Sequence, residues 1–137
     1  MQPIPGLRGD GQRAYAAAVK LLLDNLPPSL APQRDTLARC LEAMNRALPL
    51  SAVYLFGSHA RGDARPDSDV DLCLVAEDAV RQRKASAKFS DAIWDVLPRP
   101  AFTLIPITPK RLAEKRAIGD FFFATVLKEG VLLAAQD

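Results

Sequence analysis

LFGSHARGDARPDSDVDLCLV, residues 55–75, is the stretch from which the rest of the chain is read. Ala52-Val53-Tyr54 precedes it, so an apolar, β-prone run over Ala52–Phe56 ends at Gly57-Ser58, where a strand gives way to a turn or short helix. That is a place to hold phosphate. Gly57 lets the backbone approach a ligand with no Cβ in the way, and the N–H groups of the turn, with the Ser58 hydroxyl, can donate to anionic oxygens. Asp69 and Asp71 stand two apart at the head of a second apolar run, Val70–Ala76. The two-residue period of a strand aims both carboxylates at one face, while Val70, Leu72 and Leu74 point the other way, into a core.

Two carboxylates held this close raise one another's pKa unless a cation lies between them. Mg²⁺ suits the pair: it prefers oxygen ligands, takes one or two carboxylates and leaves its other positions to water and substrate phosphates. A phosphate cradle facing a metal-carboxylate pair is the equipment that nucleotidyl transfer requires, because the metal neutralises phosphate charge and orients the reacting group.

Gly57-Ser58, ten intervening residues and Asp69-Val70-Asp71 together resemble the signature of the DNA polymerase β-like nucleotidyltransferase superfamily. The fuller strings, Gly57-Ser58-His59-Ala60-Arg61-Gly62 and Ser68-Asp69-Val70-Asp71-Leu72, are most similar to its small bacterial minimal nucleotidyltransferase branch. The resemblance extends loosely from about Val53 to Leu133. It implies an α/β (α+β) fold, a small mixed sheet flanked by helices, with residues 51–137 as the nucleotidyltransferase-like part; residues 1–50 lie outside the resemblance and read from their own pattern as an N-terminal helical extension of one compact unit. It implies transfer of a nucleoside monophosphate, AMP by expectation, from a nucleoside triphosphate to an acceptor hydroxyl. Asp69 and Asp71 would be catalytic and metal-binding, and Gly57, Ser58 and Arg61 would bind the nucleotide. Members of this branch often pair with a small helical HEPN-type protein in toxin–antitoxin systems, so such a partner is an expectation from the resemblance alone.

One departure matters. The superfamily's third carboxylate sits on the strand after the long helix, and aligning Phe102–Thr108 with that strand places Thr103 there. A threonine hydroxyl titrates too far from neutrality to be a general base. Three explanations stay open: another group deprotonates the acceptor, a partner or a different alignment supplies the acid, or the chain is a nucleotide-binding or antitoxin-like protein-binding module that has lost catalysis. Arg61 either reaches phosphate or pairs with Asp63 or Asp67. Ser68 shapes the turn by bonding to backbone. His59, the single histidine, is expected to be solvent-exposed.

The 137 residues make one domain's worth of chain, and a formal charge of +2 gives no reason to propose a nucleic-acid surface. Cys40 and Cys73 lie far apart without metal spacing, which reads as a reduced, cytoplasmic protein. The apolar run Ala14–Val19 is too short and too soon followed by charge to be a signal peptide or membrane span. Met1–Gly11 reads as a tail. Tyr15, Val19, Leu22 and Leu26 recur at helical spacing over Gln12–Leu26, and a second helix is expected from Pro32 to Leu48. A long helix is expected over Glu77–Leu97, with Val80, Ala87, Ile93 and Trp94 apolar. Phe102–Ile107 reads as a strand in which Pro106 points to an edge position or a strand end. A basic helix over Lys110–Arg116, a helix from Phe121 with its phenylalanines in the core, and a terminal strand Val131–Leu133 complete the expectation.

Overall fold

The computed structural model describes residues 3–5 and 19–136. Its centre is a five-stranded mixed sheet: β1 (Lys20–Leu21), β2 (Ala52–Phe56), β3 (Val70–Val75), β4 (Phe102–Ile107) and β5 (Val131–Ala135), in the order β1-β5-β2-β3-β4. All neighbours run antiparallel except β3 and β4, which are parallel and joined by a helical crossover. The helices are α1 (Arg34–Ala47), α2 (Gly57–Arg61), α3 (Gln82–Ala92), α4 (Pro109–Ala117) and α5 (Phe121–Glu129).

Alternation along the strands sorts the core into two layers. Val53, Leu55, Val70, Leu72 and Leu74 face α1 and α3, where Leu37, Leu41, Met44 and Phe89 are buried with them. Ala52, Cys73, Val75 and Ile107 face α4 and α5, against Leu112, Phe123 and Val126. Strand β3 is thus covered on both faces past Asp71, which explains its apolar run from Leu72 to Val75. Cys40 and Cys73 are buried free thiols, and burial pushes the Cys73 thiol up to about 12. Among the described residues no helix is long and apolar enough to cross a membrane.

The helix expected over Gln12–Leu26 is absent from its described part. Lys20 and Leu21 instead pair with Ala135 and Ala134, Leu22 N–H donates to the Leu133 carbonyl at 2.8 Å, and a 3₁₀ turn follows over Leu23–Asn25. The open edge of β5 needs hydrogen-bond partners, and that tertiary demand outweighs a four-residue stripe. Residues 12–18 lie outside the described part. The expected tail is corrected at Ile4, which is buried in the second core layer.

α1 matches its expected stripe, with Leu37, Leu41 and Met44 buried. α3 is shorter than expected, because the only stripe that pins it is Ala85, Phe89 and, just past its end, Ile93. Val80 and Trp94 are exposed, 79% and 77%. Strand β4 is an edge, as Pro106 required, and the Pro106 carbonyl accepts from Gln82 Nε2 at 2.8 Å.

Caps set the phase of the last two helices. Thr108 Oγ1 accepts from Arg111 N–H at 3.1 Å, with Pro109 in the first turn, and Asp120 Oδ1 accepts from Phe123 N–H at 3.0 Å. With α5 starting at Phe121, Phe123 and Val126 fall on the core side. The expectation of three core phenylalanines is corrected accordingly: Phe121 is 86% exposed and Phe122 42%.

Candidate active site

β2 and β3 run antiparallel with Phe56 opposite Asp71, so the turn after β2 meets the start of β3. There α2 begins at Gly57, whose φ of +75° is left-handed and favours glycine. A Cβ on Gly57 would occupy the place of the Asp71 carboxylate. The sequence argument reserved that space for phosphate; in the structure the group that fills it is Asp71. The glycine therefore lets the two motifs close on each other.

Gly57, Ser58, Arg61 and Asp71 line one cavity of about 350 Å³, closed on its other side by Phe122, Thr125 and Glu129 of α5. Asp69 is exposed at the mouth of β3, on the same face as Asp71. Arg61 lines the cavity and pairs with Asp63, Nε to Oδ2 3.3 Å, the second of the two readings made of it. Ser68 Oγ accepts from Arg65 N–H at 2.8 Å and so shapes the turn ahead of Asp69.

Thr103 lies in register with Asp71 across the parallel β3–β4 pair, where the strand alignment placed it. Its hydroxyl is 3.5 Å from Asp69 Oδ2. Among the described residues no group of three or more His, Cys, Asp or Glu is placed to hold a metal, so the acidic centre is a pair. Burial holds the Asp71 carboxyl above the usual carboxylate range and the neighbouring Asp69 raises it further, with Thr103, His59 and Arg61 acting the other way.

His59 is not exposed as expected but 6% accessible. Ser29 Oγ lies 2.9 Å from its Nδ1, and its Nε2 is 3.4 Å from the Ser68 carbonyl. These contacts fit the tautomer protonated at Nε2, accepting from Ser29 and donating to Ser68. The ring ties the residue before Asp69 to α2. Local sequence carries no sign of this, because Ser29 is 30 residues away. Phe122, Thr125 and Glu129 were also missed. Their signal was the spacing of the three residues along one helix, legible only once the Asp120 cap sets where α5 begins.

A raised carboxyl pKa has a definite sign. A group that binds its proton more tightly when folded stabilises the fold below its unfolded pKa and loses that contribution as pH rises through the folded value. In EDTA, Asp71→Asn should therefore raise the melting temperature at pH 7, with little effect at a pH below the ordinary carboxylate range. Thermal melts at the two pH values measure this; a variant less stable than wild type at pH 7 would contradict the strain assigned to the pair.

A Gly-Ser turn closed over an Asp-x-Asp strand, on a mixed sheet with helices on both faces, defines a nucleotidyl-transfer fold. The family model described as "Nucleotidyltransferase domain" matches residues 37–127, and the chain belongs to that family. A "Bifunctional uridylyltransferase/uridylyl-removing enzyme" of Xanthomonas campestris pv. campestris strain B100 is 43% identical over 65 residues, covering 46% of this chain and 7% of that protein. Its counterpart in strain 8004 is 30% identical over 115 residues, covering 69% of this chain and 13% of that protein. The chain thus spans only a small part of the length of these curated relatives. A crystal structure from Sulfolobus solfataricus, assigned as a nucleotidyltransferase, matches with a TM-score of 0.50 and 21% identity over 90% of each chain, a likeness of fold.

Proposed function

We propose that the chain is an Mg²⁺-dependent nucleotidyltransferase that moves AMP from ATP to an acceptor hydroxyl, with Asp69 and Asp71 as metal ligands and Gly57, Ser58 and Arg61 as the nucleotide's phosphate contacts. The observation that carries it is the closure of Gly57 over Asp71, which brings cradle and carboxylate into one cavity. The donor set fits Mg²⁺: two carboxylate oxygen donors side by side, one of them strained by burial and by its neighbour. When bound there, the ion supplies neutralisation of phosphate charge.

The acceptor hydroxyl attacks the α-phosphorus and releases its proton to solvent, the bond to the bridging oxygen of the β-phosphate breaks, and pyrophosphate leaves. The Ser58 hydroxyl donates to phosphate oxygens, and Arg61 stabilises charge on the departing pyrophosphate. UMP is the other candidate group, on the strength of the uridylyltransferase relatives. An acceptor on a small helical HEPN-type partner, as in toxin–antitoxin pairs, belongs to the same proposal through the resemblance of the Gly57–Gly62 string.

A second reading is favoured by Thr103, whose hydroxyl sits beside the pair where the superfamily carries a carboxylate. In that reading the chain binds nucleotide, or a partner, without turnover. The enzyme and the nucleotide-binding form of the second reading both require metal-dependent binding. Calorimetry should show ATP and UTP binding more tightly with Mg²⁺ than with EDTA, and Asp69→Asn combined with Asp71→Asn should abolish the difference. Equal affinity under all conditions removes the metal assignment. Transfer of labelled AMP or UMP to an acceptor then separates enzyme from binding module.

A further inference from the structure

We infer that Phe122, Thr125 and Glu129 form the nucleoside subsite of the cavity: the base of a ribonucleoside triphosphate stacks on Phe122, and its ribose hydroxyls donate to the Glu129 carboxylate. This rests on the triphosphate reading of Gly57, Ser58, Arg61 and Asp71, which line the opposite wall. The three residues are spaced i, i+3, i+7 on α5 and therefore share one helix face.

Phe122 keeps 42% of its surface exposed inside a cavity that is otherwise largely polar at its phosphate end. The ring is held edge-on by Phe56, centroids 5.4 Å apart at 89°, and by Phe123, 4.9 Å at 82°. Two T-shaped contacts fix its orientation. A fixed, exposed aromatic ring offers a stacking platform, and every base has a π-face to lay on it.

Glu129 supplies the second half of the argument. A carboxylate in a triphosphate cavity repels phosphate, so it suits a ligand part that brings hydrogen-bond donors. No described residue bonds to or pairs with it. Thr125 spends its proton on the Phe121 carbonyl at 2.9 Å, so it too faces the ligand as an acceptor. The ribose diol brings two donors whatever the base, and a carboxylate is a known reader of such hydroxyls. Seven residues separate Phe122 from Glu129, about two turns or roughly 10 Å along the axis of α5. That is about the length of a nucleoside laid along the helix, base at one end and ribose hydroxyls at the other.

Calorimetry on the full chain with Mg²⁺ tests this, using ATP, 2′-deoxyATP and inorganic tripolyphosphate as probes. ATP should bind about tenfold more tightly than 2′-deoxyATP, a hydrogen bond to a charged group. Glu129→Ala should lower ATP at least to the deoxynucleotide's level and abolish the difference between the two. Phe122→Ala should weaken both nucleotides by about tenfold or more, Phe122→Trp should preserve binding, and tripolyphosphate should bind equally to the Phe122 variants and no more weakly to Glu129→Ala. Phe122→Leu, which keeps apolar bulk without the ring, should bind as weakly as Phe122→Ala if stacking rather than packing is lost. Tripolyphosphate binding with neutral Phe122 and Glu129 variants would overturn the subsite and leave the triphosphate reading standing. Failure of both tripolyphosphate and ATP to bind overturns the two together.

Discussion

Thr103→Asp should raise the rate of nucleotidyl transfer by about 10² to 10⁴-fold, the usual contribution of a positioned general base. The position is right for it: Thr103 stands in register with Asp71 on the neighbouring parallel strand, and its hydroxyl already reaches to 3.5 Å from Asp69. A carboxylate there completes a group of three acids around the acceptor. The same substitution should lower the melting temperature in EDTA, through added like charge, and added Mg²⁺ should restore it by binding linkage. Transfer of labelled AMP and melts with and without the metal measure both effects. Brisk turnover by wild type with no gain in the variant would show that Thr103 is not a vacant base position. Nucleotide binding by both proteins with no transfer to any acceptor would favour the binding module.

Gly57→Val should abolish Mg²⁺-dependent ATP binding and destabilise the fold. Two causes add. The left-handed backbone at φ +75° costs a non-glycine residue about 1–3 kcal/mol, with a β-branched side chain among the worst. The new Cβ also takes the place of the Asp71 carboxylate and drives it out of the cavity. A double-mutant cycle separates these: Gly57→Ala combined with Asp71→Gly should lose less stability than the two single changes added together, because the second removes what the first strikes. Strict additivity in chemical denaturation would show that only the backbone term operates.

The comparison of sequence with structure divides along the range of the interactions involved. Asp69 and Asp71 were legible because a strand's two-residue period is local, and Pro106 announced an edge because a missing N–H is a property of one residue. The Gly57 position was legible, but its reason was not. The clash partner, Asp71, lies 14 positions on, and only the antiparallel register of β2 and β3 brings them together. His59 looked like a solvated side chain because Ser29 and Ser68, which bury it, sit on separate segments. Helical spacing over Gln12–Leu26 lost, in its described part, to the unpaired edge of β5. Phe122 was assigned to the core because composition cannot tell which turn of α5 faces inward; the Asp120 cap decides it.

Strand β3 has consequences for how the candidate site behaves in time. It is paired on both edges and buried on both faces, with residues from Leu72 to Val75 fully enclosed. Amides in such a strand exchange with deuterium only through openings that approach global unfolding, whereas edges and helix ends exchange through small local ones. Asp71 therefore rides on what should be the slowest-exchanging segment of the molecule, while the wall across the cavity belongs to a nine-residue helix whose first turn is exposed. On the proposed function, bound nucleotide should therefore slow exchange in Phe121–Glu129 far more than in Val70–Val75, where little is left to slow.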